Sequence, residues 1–272
     1  MTSSEYQALP AVNWSLLREL RRSPLHYQHA LTVEREDTDA LRLGRAVHTA
    51  VLEPDRFALD YAVWQGGRRS GNEWAHFCMA NHTRTILTLD QYTTACAIRD
   101  AVRSHPVASP YLSRGEPEVV LRWRHEKTGL DLKGRADWIS DTAIVDLKTS
   151  RHAISPRQMS ATVHALGYHC QLALYRAGVK AMTDRELPAV MIAVEPAAPH
   201  DVAVYAIMDE ALFAGEEEVE ELLALLKECR ATDSWRGRFS AVQELDLPRY
   251  AYPSDDDGDP IEDPSWILSE VA

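Results

Sequence analysis

Residues 129–149 read GLDLKGRADWISDTAIVDLKT, and this stretch decides the fold. Apolar and polar side chains alternate through its first half, which is typical of a β-strand with one buried face. A short polar turn leads into a second strand at 143–148, on which Asp146 and Lys148 share a face. We therefore predict two adjacent antiparallel strands that bring Asp137, Asp146 and Lys148 to one place.

Two carboxylates beside a lysine at the end of a strand suit metal-assisted cleavage of a phosphodiester. Carboxylate oxygens bind hard divalent cations, and an ammonium stabilises the attacking water or the charge that develops on the phosphate. The alternative for Asp146 and Lys148 is an exposed ion pair across a sheet. Ile144 and Val145 precede Asp146 and indicate a strand that enters the core. An unpaired charge is costly there, which favours a functional role.

A helix predicted over residues 39–52, with Asp39 as its cap, places His48 on an inward face together with Leu41, Gly44, Val51 and Leu52. A lone inward histidine is usually a core residue with an ordinary hydrogen-bond partner. Beside two carboxylates, however, a neutral imidazole would complete a metal site. Both interpretations of His48 stay open from the residues alone.

The second half of the chain predicts a helix at 160–178 that carries Gln171 and Tyr175 one turn apart, with Gly167 a turn before them. The amide and the phenol would then bind phosphate oxygens beside the space left by the glycine, or form an ordinary amphipathic helix edge. Glu118, at the start of the strand before the central pair, could approach the metal from the sheet, but a single glutamate at a strand start is expected to face solvent.

Further strands at 118–124, 189–194 and 202–208 bring the number to at least five. The predicted fold is therefore α/β, with a mixed central sheet of about five strands flanked by helices and an N-terminal helical region that supplies His48. We expect one domain over residues 1–248, with a mostly helical part at 1–112 and the sheet core at 113–230. An acidic stretch, 249–272, reads as a mobile tail.

The charge balance bears on a nucleic-acid partner. The net charge of the 272 residues is −12, which argues against such a partner until the basic groups are located. They gather at 18–22, at 122–135, and at Arg68 and Arg69, where neighbouring glycines suit a loop over a phosphate backbone or an ordinary surface turn. An acidic protein with one basic groove remains compatible with DNA.

The chain has no basic-then-apolar leader and no run of about 18 apolar residues, so we expect a cytoplasmic protein without a membrane partner. Its four cysteines are scattered without a C-x-x-C spacing. This pattern argues against a zinc or iron–sulfur site and is typical of reduced, buried thiols. The cysteines are Cys78, Cys96, Cys170 and Cys229.

Several segments in a fixed order resemble the PD-(D/E)XK nuclease superfamily and, within it, the exonuclease VIII (RecE-type) group. They are SPLHYQHAL (23–31), LRLGRAVHTAVLEPDRF (41–57), RRSGNEWAHFC (68–78), TILTLDQY (85–92), TGLDLKGRADWI (128–139), IVDLKTS (144–150) and YHCQLALYRAG (168–178). The resemblance implies a restriction-endonuclease-like core. It implies metal ligands at His48, Asp137, Asp146 and the Leu147 carbonyl, a catalytic Lys148, and Gln171 and Tyr175 supporting the site or the bound strand. Asp146 stands where many superfamily members carry Glu.

The resemblance also implies Mg²⁺ as the cofactor, with Mn²⁺ as a substitute, and 5′→3′ digestion of linear duplex DNA that leaves a 3′ single strand. Its implied partners are DNA ends, a recombinase or single-strand annealing protein, and copies of the same chain in a ring. An endonuclease or flap nuclease, and a non-catalytic DNA-binding module on the same fold, are the alternatives. A small-molecule enzyme is disfavoured because no phosphate-binding glycine loop is present.

Overall fold

The N-terminal part of the chain is mainly helical in the computed structural model, which describes residues 3–33, 37–248 and 251. Two of its strands pair in parallel. Its elements are α1 (Ser3–Ala8), α2 (Trp14–Leu17) with a 3₁₀ turn (Arg18–Arg21), α3 (Pro24–Ala30), α4 (Asp39–Leu52), α5 (Pro54–Asp60), β1 (Tyr61–Trp64), α6 (Asn72–Ala80), β2 (Thr85–Thr88), α7 (Leu89–Ser104) and α8 (Ala108–Tyr111).

Helix α4 has the predicted bounds, but its cap and its buried face differ from the prediction. The hydroxyl of Thr38, not the carboxylate of Asp39, accepts the hydrogen bond from the amide of Leu41. The fully buried side is formed by Ala46, Val47, Ala50 and Val51, whereas Leu41 is 51% exposed. Val51 and Leu52 of the predicted face are buried, so that part of the prediction is confirmed, but the core stripe does not extend to Leu41. His48 lies at the edge of the stripe with about a quarter of its side chain exposed.

A five-stranded mixed sheet follows, and it confirms the predicted fold class. The strand order is the order of the sequence, and only β5 and β6 run parallel. Two helices form the crossover between those parallel strands. The elements are β3 (Glu116–Arg124), β4 (Asp131–Ile139), β5 (Ile144–Thr149), α9 (Pro156–Leu166), α10 (Tyr168–Thr183), β6 (Ala189–Val194), β7 (Val202–Ala206) and α11 (Asp209–Thr232).

The single helix predicted at 160–178 is wrong, because Gly167 ends α9 and α10 begins at the next residue. Gly167 has φ +69°, and a Cβ at this position would lie 2.4 Å from the ring of Trp14. The turn therefore needs a glycine both for its left-handed backbone and for the close approach of the tryptophan.

Helices cover both faces of the central sheet, and the core lies in the two layers between them. Val145 and Leu147 of β5 point into the layer that contains α4 and α7. Ile144 points into the opposite layer, where Leu172 of α10 and Leu212 of α11 are fully buried. The alternation of β5 therefore turns Asp146 and Lys148 toward α10.

The chain divides into two units, residues 1–236 and 237–272, and the elements above belong to the first. In the second unit, residues 237–248 form no helix or strand. Apart from Ala251, the predicted acidic tail lies outside the described residues, so its mobility stays a prediction. Among the described helices, none combines the length and the apolar character needed to cross a bilayer.

Candidate active site

The two central strands part at the predicted site. β4 and β5 pair through Trp138↔Val145 and Ile139↔Ile144 only. Asp137 and Asp146 occupy the next position of that register, beyond the last pair. There Oδ2 of Asp137 accepts a hydrogen bond of 2.8 Å from the backbone amide of Leu147. The carboxylate thus takes the place of a backbone carbonyl, which fixes it directly beside the D-x-K residues.

Asp146 and Lys148 form a buried ion pair on the face of β5 that α10 covers. Asp146 is completely buried, and its Oδ1 accepts a hydrogen bond of 2.7 Å from Nζ of Lys148. Its Oδ2 is buried without a hydrogen-bond partner among the described residues. A buried carboxylate oxygen with no donor is costly, and a bound cation would remove that cost.

The electrostatics of the pair follow from burial and from the second carboxylate. Burial raises the pKa of Asp146 to about 6, Lys148 opposes this rise, and Asp137 adds to it. Burial alone would lower the pKa of Lys148, but the charges of Asp146 and Asp137 outweigh burial, so this pKa lies above its ordinary value. Lys148 is therefore an ammonium at neutral pH.

His48 and Asp137 approach each other from α4 and β4, and Glu118 of β3 joins them. Nδ1 of His48 lies 3.6 Å from Oδ1 of Asp137. Each of the three residues offers one ligand atom, and these atoms lie within 4.8 Å of one another. The expectation that Glu118 faces solvent is therefore wrong, and the less favoured alternative, an approach to the site from the sheet, agrees with the structure.

The backbone explains why Glu118 turns inward. It has φ +51°, and the β3–β4 ladder passes from Pro117↔Trp138 to Val119↔Ala136 without a Glu118–Asp137 pair. Nε of Arg135 lies 2.8 Å from Oε2 of Glu118 and forms an ion pair with it. Burial nevertheless raises the pKa of Glu118, against the lowering effect of Arg135. Strand alternation cannot predict this orientation, because a residue with positive φ interrupts the regular alternation of side chains.

The described side chains of this site that could bind a metal form two sets, and Asp137 belongs to both. The first set is His48, Glu118 and Asp137. The second set is Asp146 and Asp137, because the charge of Asp137 raises the pKa of Asp146, which is paired with Lys148. Carboxylate oxygens and one imidazole suit Mg²⁺ or Mn²⁺ better than soft metals. The residues present therefore fit a divalent cation, and the partnerless Asp146 oxygen is the feature that such a cation would satisfy.

Helix α10 closes the site with Gln171 and Tyr175. The Gln171 amide donates a hydrogen bond of 2.8 Å to the Tyr175 hydroxyl. The Tyr175 ring packs on Gly134 of β4, where an added Cβ would lie 2.9 Å from it. Burial raises the Tyr175 pKa well above its usual value, and Asp137 and Asp146 raise it further. The two side chains are one turn apart as predicted, but Gly167 ends the previous helix and leaves no open space beside them.

Tyr168 is a residue that the sequence did not indicate. The Lys148 ammonium lies 4.8 Å from the centre of its ring, a cation–π contact. Burial raises the pKa of Tyr168, and the charge of Lys148 opposes that rise. Only the glycine before it, which starts a new helix there, distinguishes this tyrosine in the sequence.

The structure does not bring Arg68 and Arg69 to this site. Arg68 is exposed, and Arg69 lies 5.6 Å from the ring centre of Trp74 and 4.0 Å from Asp39. No contact described for either arginine involves Asp137, Asp146 or Lys148. Their proposed role in DNA binding stays a prediction that the loop position alone supports.

One member of the basic stretch at 122–135 has a structural role instead. Lys133 is 3% exposed. Its ammonium donates hydrogen bonds of 2.8, 3.1 and 2.9 Å to the carbonyls of Tyr6, Gln7 and Leu9 at the end of α1. It therefore secures the N-terminal helix to β4 and leaves no group for a phosphate.

A family profile described as "PDDEXK-like domain of unknown function (DUF3799)" matches residues 13–245. The chain belongs to this PDDEXK-like family. The fold of this family member also resembles a crystal structure from Eubacterium rectale described as a "putative exonuclease", with a TM-score of 0.65 and 17% sequence identity. The match covers 91% of this chain and 96% of that one. A search of curated proteins found no match.

Proposed function

We propose that this PDDEXK-like chain is a divalent-metal-dependent deoxyribonuclease that digests linear duplex DNA from the 5′ end and leaves 3′ single strands. The observation that carries the proposal is the fully buried Asp146, with one oxygen on Lys148 and the other without a partner. The E. rectale relative in fold, described as a "putative exonuclease", supports exonuclease activity. The resemblance to the exonuclease VIII group supports the direction of digestion.

The residues that would hold the metal are Asp137 and Asp146, with His48 and Glu118 on the side of α4 and β3, and the Leu147 carbonyl as a further oxygen. Mg²⁺, or Mn²⁺ in its place, would polarise the scissile phosphate and lower the pKa of a bound water. Asp137 is held in place for this role because one of its oxygens is already bonded to the Leu147 amide.

Lys148 supplies a fixed positive charge in this scheme. The charges of Asp146 and Asp137 raise its pKa, so the lysine is an ammonium in the metal-free protein. It can donate hydrogen bonds to the attacking water or to a phosphate oxygen and so stabilise the negative charge that develops there. The Asp146 carboxylate and the Tyr168 ring hold it in position.

Tyr175 supplies a neutral hydrogen-bond donor. Its oxygen accepts a hydrogen bond from Gln171, which leaves its own hydroxyl proton available to another acceptor. Because its pKa is well above the usual value, that proton stays bound at any working pH. The Gln171–Tyr175 pair therefore suits orientation of a carboxylate or a phosphate oxygen without adding charge.

We also propose that copies of the chain form a ring around DNA, and that a recombinase or single-strand annealing protein takes up the product strand. The net charge of −12 supports a ring, since an acidic exterior is compatible with a basic channel. Light scattering of the purified protein would test it: a monomer at assay concentration would contradict the ring and leave the nuclease proposal standing.

The deciding experiment is Mg²⁺-dependent digestion of linear duplex DNA labelled at either the 5′ or the 3′ end. Early release of the 5′ label as short products, with the 3′ label kept on long strands, is the expected result. Covalently closed circular duplex should remain intact. The Lys148→Ala variant serves as the control for a contaminating nuclease.

The other outcomes identify the alternatives. Linearised circles would indicate an endonuclease, and cleavage confined to flapped or single-stranded ends would indicate a flap or single-strand nuclease. Binding without cleavage at any divalent-metal concentration would indicate a non-catalytic DNA-binding module.

A further inference from the structure

A second cluster of metal-ligating side chains lies between α10 and α11, outside the candidate nuclease site. His169 and Cys170 occupy the first turn of α10, and Glu218 lies on α11. Cys170 is completely buried and His169 is 7% exposed. The proposed cleavage mechanism uses none of the three.

The three ligand atoms have the spacing of one face of a tetrahedral metal site. Sγ of Cys170 lies 3.5 Å from Nε2 of His169 and 3.3 Å from Oε2 of Glu218. The remaining distance, from Nε2 of His169 to Oε2 of Glu218, is 3.8 Å. Tetrahedral zinc with bonds of about 2.0–2.3 Å separates its ligands by about 3.3–3.8 Å. One ion placed between the three atoms would reach them all with little movement.

Neighbouring groups orient two of the ligands toward that point. Nδ1 of His169 lies 3.2 Å from the Val163 carbonyl, so the ring proton belongs there and Nε2 presents its lone pair. Nε of Arg21 donates a hydrogen bond of 2.5 Å to Oε1 of Glu218. Nη2 of Arg21 donates a longer hydrogen bond of 3.3 Å to Oε2, which also accepts a hydrogen bond of 3.3 Å from the Cys170 thiol. Metal-bound histidines and carboxylates usually have outer partners of this kind.

The cysteine must lose its proton when a metal binds. Arg21 already pairs with the Glu218 carboxylate, so the thiolate is the further negative charge that the cluster can offer to a cation. Burial raises the pKa of Cys170 to about 12, and the charge of Glu218 adds to this rise, so the thiol keeps its proton until a cation replaces it. Binding must therefore release a proton from Cys170.

We propose that His169, Cys170 and Glu218 bind Zn²⁺, with water as the fourth ligand. The ion would join the first turn of α10 to α11. It would lie beside Tyr168, which contacts Lys148, and Gln171, which bonds to Tyr175. A C-x-x-C search overlooks a site of this kind, because it has a single cysteine and its carboxylate comes from another helix.

The test is cobalt substitution in the full-length protein, purified without chelator and kept in excess Mg²⁺. Mg²⁺ occupies hard oxygen donors but does not displace a thiolate-bound ion. We expect about one equivalent of Co²⁺ with an intense tetrahedral spectrum and a thiolate-to-cobalt charge-transfer band. Elemental analysis of untreated protein should show about one equivalent of zinc.

Matched variants assign the band to this cluster. Cys170→Ala should lose the charge-transfer band, and Glu218→Gln should weaken Co²⁺ binding. Cys229→Ala, which removes another buried cysteine from α11, should change neither. Absence of the band in the unmodified protein would overturn the proposal whether or not the variants fold. Its persistence in Cys170→Ala would also overturn it. Because the readout is spectroscopic, failure here leaves the nuclease proposal untouched.

Discussion

The backbone amide of Leu147 donates a hydrogen bond of 2.8 Å to Oδ2 of Asp137. This bond forms just beyond the last backbone pair of β4 and β5, so a side-chain oxygen accepts the hydrogen bond that a strand carbonyl would otherwise accept. It fixes Asp137 against the middle residue of the D-x-K sequence and leaves its Oδ1 facing His48. The bond therefore makes one carboxylate common to both donor sets.

Lys148→Ala should lower DNA cleavage by about 10²–10⁴-fold or more, because no other ammonium is described on Asp146. Initial rates on labelled linear duplex at saturating Mg²⁺ measure the loss. Lys180→Ala, at a lysine whose side chain is 58% exposed and outside the basic stretches, is the matched control and should cleave like the parent. Cleavage by Lys148→Ala at the parent rate would remove Lys148 from the mechanism.

Protons and Mg²⁺ should compete for Asp146. Its pKa in the metal-free protein is raised to about 6, so the carboxylate is charged above that pH and protonated below it. Activity at limiting Mg²⁺ should therefore fall as the pH drops through this range. A tenfold increase in the Mg²⁺ concentration should shift the acidic limb of the pH–activity profile to lower pH by up to about one unit. An acid limb that does not respond to Mg²⁺ would contradict metal binding by Asp146.

Glu118→Gln should raise the Mg²⁺ concentration needed for half-maximal activity by at least about tenfold, because it removes one anionic donor from the His48–Asp137 set. The amide keeps an oxygen for Arg135, so the fold should be retained. Glu116→Gln lies two residues away on the same strand, is exposed, and serves as the control. Equal Mg²⁺ dependence in both variants would exclude Glu118 as a ligand.

Gly134→Ala should destabilise the protein by about 1–3 kcal/mol and reduce cleavage, because its Cβ would lie 2.9 Å from the buried Tyr175 ring. Chemical denaturation measures the free energy of unfolding. Gly44→Ala on α4 is the control, since an added Cβ meets nothing within 4 Å there. That variant should gain about 0.5–1 kcal/mol from helix propensity. Gly134→Ala with parent stability would mean that the Tyr175 ring is not held against β4.

Local signals explain what could be predicted. Alternation predicted the central strands, and the apolar residues before Asp146 correctly indicated that the D-x-K segment enters the core. Helix α4 has the predicted bounds, although its N-cap is Thr38, one residue before the expected Asp39. These features depend on neighbours within a few residues, so the local pattern of apolar and polar residues is enough to predict them.

Contacts between distant segments explain what could not be predicted. Glu118 turns inward because one residue adopts a positive φ within an otherwise regular hairpin. Gly167 breaks the predicted helix where Trp14 packs against it from the N-terminal region. Tyr168 then reaches Lys148 only because that break restarts the helix at Tyr168.

The sequence by itself determined the mixed α/β fold class and placed Asp137, Asp146 and Lys148 on two adjacent strands, since strand periodicity and hydrophobic burial act locally. Only the tertiary structure decided that Glu118 joins His48 and Asp137, and that His169 and Cys170 meet Glu218. Those groups come from elements that chain folding, not spacing, brings within reach of one another. Helix or strand periodicity relates only residues within one element, so it cannot predict contacts between side chains on different elements.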